Sequence, residues 1–414
     1  MQSVIEIAKL VKEKGTQLGT ISTQKKDEIL VKISEALIKN TNEIIKQNAV
    51  DIENAKENNI PPSIIDRLLL TKERIEDISN AVLKLTQLSD PCGVIDGGKI
   101  LPNGLRIEKW RVPLGVIGII YEARPNVTVD AATLCLKSGN SCILRGGKEA
   151  INSNKILIKI MQDVLIECGL NAENISFIED TDRKSATEMM KLNGYIDVLI
   201  PRGGRNLIKS VTQNATVPVI ETGTGNCHVY VDESADFDMA INIIDNAKTQ
   251  RTGVCNAIEN MLINEKIAKD ILPLIKKRLD LHNVEIRGCE KSLEILPDIK
   301  LATEEDYETE FLDYIIALKI VPSVKEAVEH IKKYTSGHSE CIVSNNYESI
   351  CYFTKNVDAA AVYVNASTRF TDGGEFGLGA EIGISTQKLH ARGPMGLMEL
   401  TTIKYAIFGN GQIR

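Results

Sequence analysis

Aromatic side chains are scarce, with one Trp, seven Phe and ten Tyr in 414 residues, so any core this chain builds is aliphatic. Five histidines form no H-E-x-x-H, which removes the zincin arrangement. Nine cysteines are an odd number, and no two stand in C-x-x-C spacing. That excludes a disulfide framework, a zinc ribbon and a thioredoxin motif, and no metal site is expected. No G-x-x-x-x-G-K-[ST] occurs, so a P-loop is absent. The longest apolar run, around Val112 to Tyr121, is about half of what spans a bilayer. The start, Met1 to Glu6, lacks the basic and apolar regions of a signal peptide. With 49 basic against 56 acidic residues the net charge is −7. A mildly acidic chain is a poor general nucleic-acid binder. Neither nucleic acid nor membrane is an expected partner, and a reducing cytoplasm is the expected setting.

What is present is a long alternation of elements. The length argues for two or three domains at roughly 150 residues each. The first ninety residues read as helices: Ile29, Leu30, Ile33, Ala36, Leu37, Ile44 and Ile45 recur at helical spacing. A second helix is expected after Asp51-Ile52, and Pro61-Pro62 breaks the pattern. Thr71 caps a further helix with Ile75, Ile78, Val82, Leu85 and Leu88 on one face. Between Val94 and Trp110, Gly97-Gly98 and Asn103-Gly104 are turn signals between short extended pieces, which suggests a hairpin. Buried-strand runs then alternate with helical stretches: Val116 to Ile120, Cys142 to Leu144, Ile175 to Ile178 and Asp197 to Ile200. A second series runs from Val229 to Val343, and the tail after Val364 is rich in Gly. This is the pattern of parallel sheets covered by helices, an α/β fold.

In such folds ligands bind beyond the carboxyl ends of strands, so the post-strand glycine loops are the places to search. Four stand out: Arg145 to Lys148, Arg202 to Arg205, Glu221 to Gly225, and Gly373 to Gly379. None is a full dinucleotide fingerprint, and each alone reads as a tight turn. Arg145, Lys148, Arg202 and Arg205 add fixed positive charge beside glycine amides, the combination a phosphate needs. Among the cysteines, Cys135, Cys142, Cys168, Cys341 and Cys351 lie in apolar patterns and read as small buried hydrophobes. Cys255 sits instead in the polar loop Gln250 to Asn256, where Arg251 could favour thiolate. It is a candidate nucleophile, with structural burial as the alternative. His228, His338 and His390 occupy polar, glycine-containing contexts and could touch a ligand, although a structural hydrogen bond is the commoner role. Glu221 and Glu310 stand without a carboxylate partner, so a paired-carboxylate mechanism gains no support.

The run Val112-Pro113-Leu114-Gly115-Val116-Ile117-Gly118-Ile119-Ile120-Tyr121-Glu122-Ala123-Arg124-Pro125-Asn126-Val127 resembles the glutamate-5-semialdehyde dehydrogenases, or gamma-glutamyl phosphate reductases. These form a branch of the aldehyde dehydrogenase superfamily. Asp66-Arg67-Leu68, Ser138-Gly139-Asn140, Pro201 to Asn206, Gly337-His338-Ser339-Glu340 and His390 to Pro394 extend the resemblance over essentially the whole chain. It implies an aldehyde dehydrogenase-like fold: a Rossmann-type cofactor domain over about 1–228, a catalytic domain over about 229–364, and a small β hairpin for oligomerisation near 93–111. The segment 365–414 would return to the cofactor and oligomerisation region. The implied reaction reduces L-glutamyl 5-phosphate to the semialdehyde with NADPH and releases phosphate, the second step of proline synthesis.

By the same resemblance Cys255 matches the nucleophile, and Asn126 the side-chain donor of the oxyanion hole. Glu310 matches a carboxylate on the nicotinamide ribose. Arg145 stands where relatives place a lysine against the adenosine ribose, and Gly203 falls in a cofactor loop. Lys148 replaces a glutamate that NAD-using relatives carry, and its charge suits the 2′-phosphate of NADP. Arg124, Arg369 and Arg392 are candidates for the substrate's anionic groups, with ion pairs to the fold as the alternative. Glu221 falls where hydrolytic relatives hold a water-activating base, a role this reaction does not need. The resemblance also implies a homo-oligomer, dimer or tetramer, and contact with glutamate 5-kinase is conceivable because the acyl phosphate is labile. A hydrolytic aldehyde dehydrogenase, a phosphotransferase and a non-catalytic nucleotide-binding scaffold are the competing readings.

Overall fold

The computed structural model describes residues 2–414, leaving out the side chains of Thr16 and Ser63. The chain divides into two compact units. The first comprises Met1–Thr222, Gly377–Gly383 and Met395–Arg414, the second Gly223–Phe376 and Ile384–Pro394.

The first unit opens with the expected helices. Ser3 and Glu6 form a capping box at the start of Val4–Lys14, satisfying two amides a helix start leaves unpaired. The spacing from Ile29 to Ile45 suggests one continuous pattern, but the structure breaks it at Asn40, between helices Thr23–Lys39 and Thr41–Glu57. The Asn40 amide turns back onto the Ala36 carbonyl at 2.7 Å, closing the first helix locally. Asp51, expected to precede a helix, lies inside one and is buried, where it accepts from the Ser153 amide and hydroxyl. Thr71 caps Lys72–Leu85 as predicted, and Ile75, Ile78, Val82 and Leu85 are buried, but Leu88, expected on the same face, lies past the helix end at Leu85.

The hairpin pairs β1 (Ile95–Ile100) with β2 (Arg106–Pro113), and the C-terminal strand Thr401–Phe408 adds to β2. All three run antiparallel. Gly97-Gly98 is no turn: it lies within β1, where the register shifts between Ile95 and Gly97 as at a β-bulge. The other signal, Asn103-Gly104, is the turn, where the Gly104 amide donates to the Leu101 carbonyl at 2.8 Å. A second sheet is parallel, built from β3 (Val116–Tyr121), β4 (Ser141–Arg145), β5 (Ile175–Phe177) and β6 (Val198–Arg202) in the order β5-β4-β3-β6. All six residues of β3 are buried, which explains the unbroken apolar run.

The second unit carries seven parallel strands: β7 (Cys227–Val231), β8 (Ile258–Asn264), β9 (Glu285–Gly288), β10 (Lys300–Leu301), β11 (Ile315–Val321), β12 (Ser339–Val343) and β13 (Ala361–Val364). Their order is β10-β9-β11-β8-β7-β12-β13. Period-two alternation assigns each residue to a face. Val229, Val231, Met261 and Ile263 pack with helices Phe237–Thr249 and Ala268–Leu279. Tyr230, Leu262 and Ile342 pack with Val328, Ile331 and Phe353 from the opposite helices. Among the described residues no helix is long and apolar enough to cross a membrane.

Candidate active site

In the second unit the candidate residues gather at the amino ends of the strands, not at the carboxyl ends expected from the sequence. Cys255 precedes β8, Gly225 precedes β7, Glu310 precedes β11 and His338 precedes β12. Cys255 is half-buried. The Nε2 of the fully buried His338 lies 3.2 Å from its Sγ. The other ring nitrogen, Nδ1, is 2.8 Å from the Ser339 hydroxyl. A thiol against an imidazole that is oriented from its far side is the arrangement of an activated nucleophile.

The backbone of Cys255 is held as firmly. Its carbonyl accepts from the Cys227 thiol at 3.2 Å. A Cβ on Gly225 would fall 1.6 Å from the same carbonyl oxygen, so only glycine fits there. The Gly225 amide in turn donates to Glu310 Oε1 at 2.7 Å. Glu310 and Cys255 are thus joined through one glycine. The Asn256 amide donates to the carbonyls of Arg369 (3.1 Å) and Thr371 (3.0 Å), and the Arg369 guanidinium reaches back to Asn256 Oδ1 and to Gln250 at 3.0 Å. Burial and the neighbouring Arg251 draw the Arg369 pKa down, while Asp372 and Cys255 oppose that shift.

Beneath the site, Lys248 and Glu259 form a fully buried ion pair at 2.5 Å. Burial pushes Glu259 up to about 7, against the pull of Lys248. Its second oxygen accepts from the Leu312 amide at 3.1 Å, and Leu312 holds a left-handed φ of 56°. That backbone is strained for a branched side chain, and it lies two residues from Glu310.

The remaining candidates of this unit take structural partners. Arg392 pairs with Asp358 at 2.7 Å. His228 is buried and bonds Glu340 through Nδ1 at 2.9 Å, while His390 is exposed. Of the cysteines read as buried, Cys135 and Cys142 of the first unit and Cys341 of the second are buried, but Cys168 of the first unit is only half-buried and Cys351 of the second is exposed on its helix. The contact of His338 with Cys255 was not expected from the sequence, which left His338 as one of three candidate histidines. Its signal was the polar stretch Gly337 to Glu340 directly before a strand.

In the first unit the loops after β3, β4 and β6 lie side by side at the carboxyl edge of the sheet. Arg145 ends β4, and its guanidinium donates to the carbonyls of Thr181 (2.8 Å) and Asp182 (3.2 Å). Its Nε is buried with no hydrogen-bond partner. Lys148 is exposed and makes no ion pair among the described residues. Gly203 follows β6; a Cβ there would lie 2.7 Å from the Glu122 carboxyl carbon. Glu122 Oε2 accepts from the Gly204 amide at 2.9 Å, so one amide of this turn is already satisfied by a carboxylate. Arg124 is half-buried at the start of helix Pro125–Lys137. Asn126, in the first turn of that helix, donates to Asp130 at 3.0 Å. Burial raises Asp130 to about 6, with Asn126 and Arg202 opposing. Glu221 is half-buried near the end of this unit. Among the described residues no three His, Cys, Asp or Glu converge to hold a metal ion.

The model of the aldehyde dehydrogenase family matches residues 1–297. The chain belongs to the aldehyde dehydrogenase family. It is 59% identical over 406 residues to the gamma-glutamyl phosphate reductase of Clostridium perfringens, covering 98% of each chain. The crystal structure of gamma-glutamyl phosphate reductase from Thermotoga maritima superposes with a TM-score of 0.97 at 51% identity, over 100% of both chains. An acetylating aldehyde dehydrogenase from Geobacillus thermoglucosidasius shares the fold, with a TM-score of 0.72 at 19% identity. The aldehyde dehydrogenase-like α/β fold expected from the sequence is therefore present. So is the enzyme class: the chain is an oxidoreductase of the gamma-glutamyl phosphate reductase branch.

Proposed function

We propose that this enzyme reduces L-glutamyl 5-phosphate to L-glutamate 5-semialdehyde with release of phosphate, through a thioester on Cys255. The observation that carries the reading is the 3.2 Å approach of His338 Nε2 to Cys255 Sγ. His338 takes the thiol proton as sulfur attacks the acyl carbon and returns it to the departing phosphate. The balance is closed: acyl phosphate plus thiol gives thioester plus hydrogen phosphate. In this reading the backbone amide of Cys255 serves as a donor to the acyl oxygen. One such donor contributes about 3 kcal/mol to transition-state stabilisation. Arg369 stands beside the nucleophile and holds the anionic substrate, with Arg124 and Arg392 as weaker candidates.

NADPH is the cofactor in this reading. The buried, partnerless Arg145 Nε and the exposed Lys148 suit a phosphorylated dinucleotide, whereas Gly203 packs against the Glu122 carboxylate and rests on the resemblance alone. Glu310 would meet its nicotinamide ribose, and the group supplies a hydride when bound. Lys148 in place of a carboxylate favours the 2′-phosphate form. The three-stranded antiparallel sheet carries the oligomer contact, in keeping with exposed Ile95, Ile100, Ile407 and Phe408.

The direct test runs the reaction backwards, following phosphate-dependent reduction of NADP by the semialdehyde. Activity is expected in the wild type and absent in Cys255→Ala. A Cys255→Ala enzyme that still turns over contradicts the thioester route.

A further inference from the structure

We infer that Ser339, Thr371 and Tyr363 form a proton relay that connects His338, and through it Cys255, to the protein exterior. This rests on the thioester reading above. The links are short and continuous. His338 Nδ1 lies 2.8 Å from Ser339 Oγ, Ser339 Oγ lies 2.7 Å from Thr371 Oγ1, and Thr371 Oγ1 lies 2.7 Å from Tyr363 Oη. With the 3.2 Å contact of Nε2 to Cys255 Sγ, four hydrogen bonds run from the nucleophile to a phenol on the edge strand β13. His338, Ser339 and Thr371 are fully buried, while Tyr363 is partly exposed.

Each relay group both donates and accepts, and in the two hydroxyl–hydroxyl links either oxygen can be the donor. Such a chain can reverse its direction, as proton conduction requires. Orienting an imidazole needs only one partner at Nδ1, and Ser339 would suffice. The extension through Thr371 to Tyr363 goes beyond that need. Asn256, the neighbour of the nucleophile, also grips the Thr371 carbonyl, so the far end of the chain is tied to the cysteine loop.

Proton accounting gives the relay its task. In the acylation half, the thiol proton moves to the leaving phosphate and none is exchanged with solvent. In the reductive half, the nicotinamide cofactor would supply a hydride to the thioester carbon when bound, and the resulting hemithioacetal oxyanion would break its C–S bond, freeing the aldehyde and leaving Cys255 as thiolate. That thiolate must gain one proton from outside before it is a thiol again. In the reverse direction aldehyde and thiol give a hemithioacetal, whose oxidation to thioester releases one proton. His338 receives it at Nε2 and gives up the Nδ1 proton to Ser339, and Thr371 and Tyr363 pass one onward.

The experiment separates the two halves in the reverse direction, on full-length enzyme. Without phosphate, semialdehyde and NADP report the proton-releasing half by stopped-flow absorbance and an indicator dye. Adding phosphate to the acyl-enzyme then reports phosphorolysis, which exchanges no proton with solvent. Tyr363→Phe and Thr371→Val are expected to slow the first half about tenfold or more and to alter its solvent deuterium isotope effect, with phosphorolysis little changed. Thr371→Ser keeps the hydroxyl and is expected to restore the rate, which separates loss of the relay from loss of fold. Equal slowing of both halves overturns the relay and leaves a positioning role for these residues, as does a wild-type first half in the two hydroxyl-free variants. Loss of the Cys255 dependence instead brings down the thioester reading itself.

Discussion

Gly225 and Cys255 touch more closely than any side chain would permit, with the space for a Cβ falling 1.6 Å from the Cys255 carbonyl oxygen. Gly225 also gives its amide to Glu310, so one residue sets the nucleophile's backbone and the carboxylate assigned to the cofactor ribose. Gly225→Ala must move one or both. Displacements near 1 Å cost about 10²-fold in reactions that depend on alignment. The expected outcome is a loss of that order in kcat/KM, with the fold retained by circular dichroism. Unchanged kinetics would show that the glycine contact does not align the site.

The Lys248–Glu259 pair carries the strained Leu312 backbone and, through it, the Glu310 loop. Glu259→Ala leaves a buried ammonium without a partner, at a cost of about 3–5 kcal/mol, and a marked fall in Tm is expected. Glu259→Gln keeps an acceptor for the Leu312 amide and should fall less. In both variants the KM for the cofactor is expected to rise more than that for the substrate. A selective rise in substrate KM instead would place the effect elsewhere.

Lys148 is the exposed cation at the β4 loop. Lys148→Glu is expected to reverse the cofactor preference toward NADH in steady-state kinetics, since a carboxylate repels a 2′-phosphate and accepts from ribose hydroxyls. An unchanged NADPH/NADH ratio removes Lys148 from the cofactor site.

His330 is buried against Tyr307 and Tyr334, at ring distances of 5.1 Å and 4.5 Å. Burial and the neighbouring His228 hold its pKa down to about 2, against an ordinary 6.5. The unfolded chain therefore binds a proton below pH 6.5 that the folded chain refuses. By linkage, stability falls as pH drops through 6.5 and continues to fall toward 2. Between pH 7 and pH 4 this one residue accounts for about 3 kcal/mol. Denaturant unfolding of His330→Phe should show a correspondingly smaller acid loss than wild type. Identical pH slopes would mean that His330 titrates normally.

Much of this architecture was legible in the sequence. Helices such as Ala268–Leu279 and Val324–Tyr334 announce themselves by periodicity, and β3 by a run that admits no polar residue. Gly97-Gly98 misled because glycine serves a bulge as readily as a turn, and only pairing with β2 distinguishes the two. Asn40 misled because its side chain ends a helix by a bond back to Ala36 that periodicity does not register. At the site, Cys255 stood out by its polar loop. His338 did not, since its partner lies 83 positions away in sequence, and local pattern carries no information about which loops a parallel sheet brings together. The Gly225 contact was hidden for the same reason.

The central claim is that Cys255 carries the acyl group. Mixing enzyme with semialdehyde and NADP in the absence of phosphate tests it most directly, by rapid-quench mass spectrometry of the Cys255 peptide alongside NADPH absorbance. A burst of about one NADPH per active site is expected, with a glutamyl adduct on Cys255 that phosphate then removes. No adduct on that peptide, or an equal burst from Cys255→Ala, would contradict it.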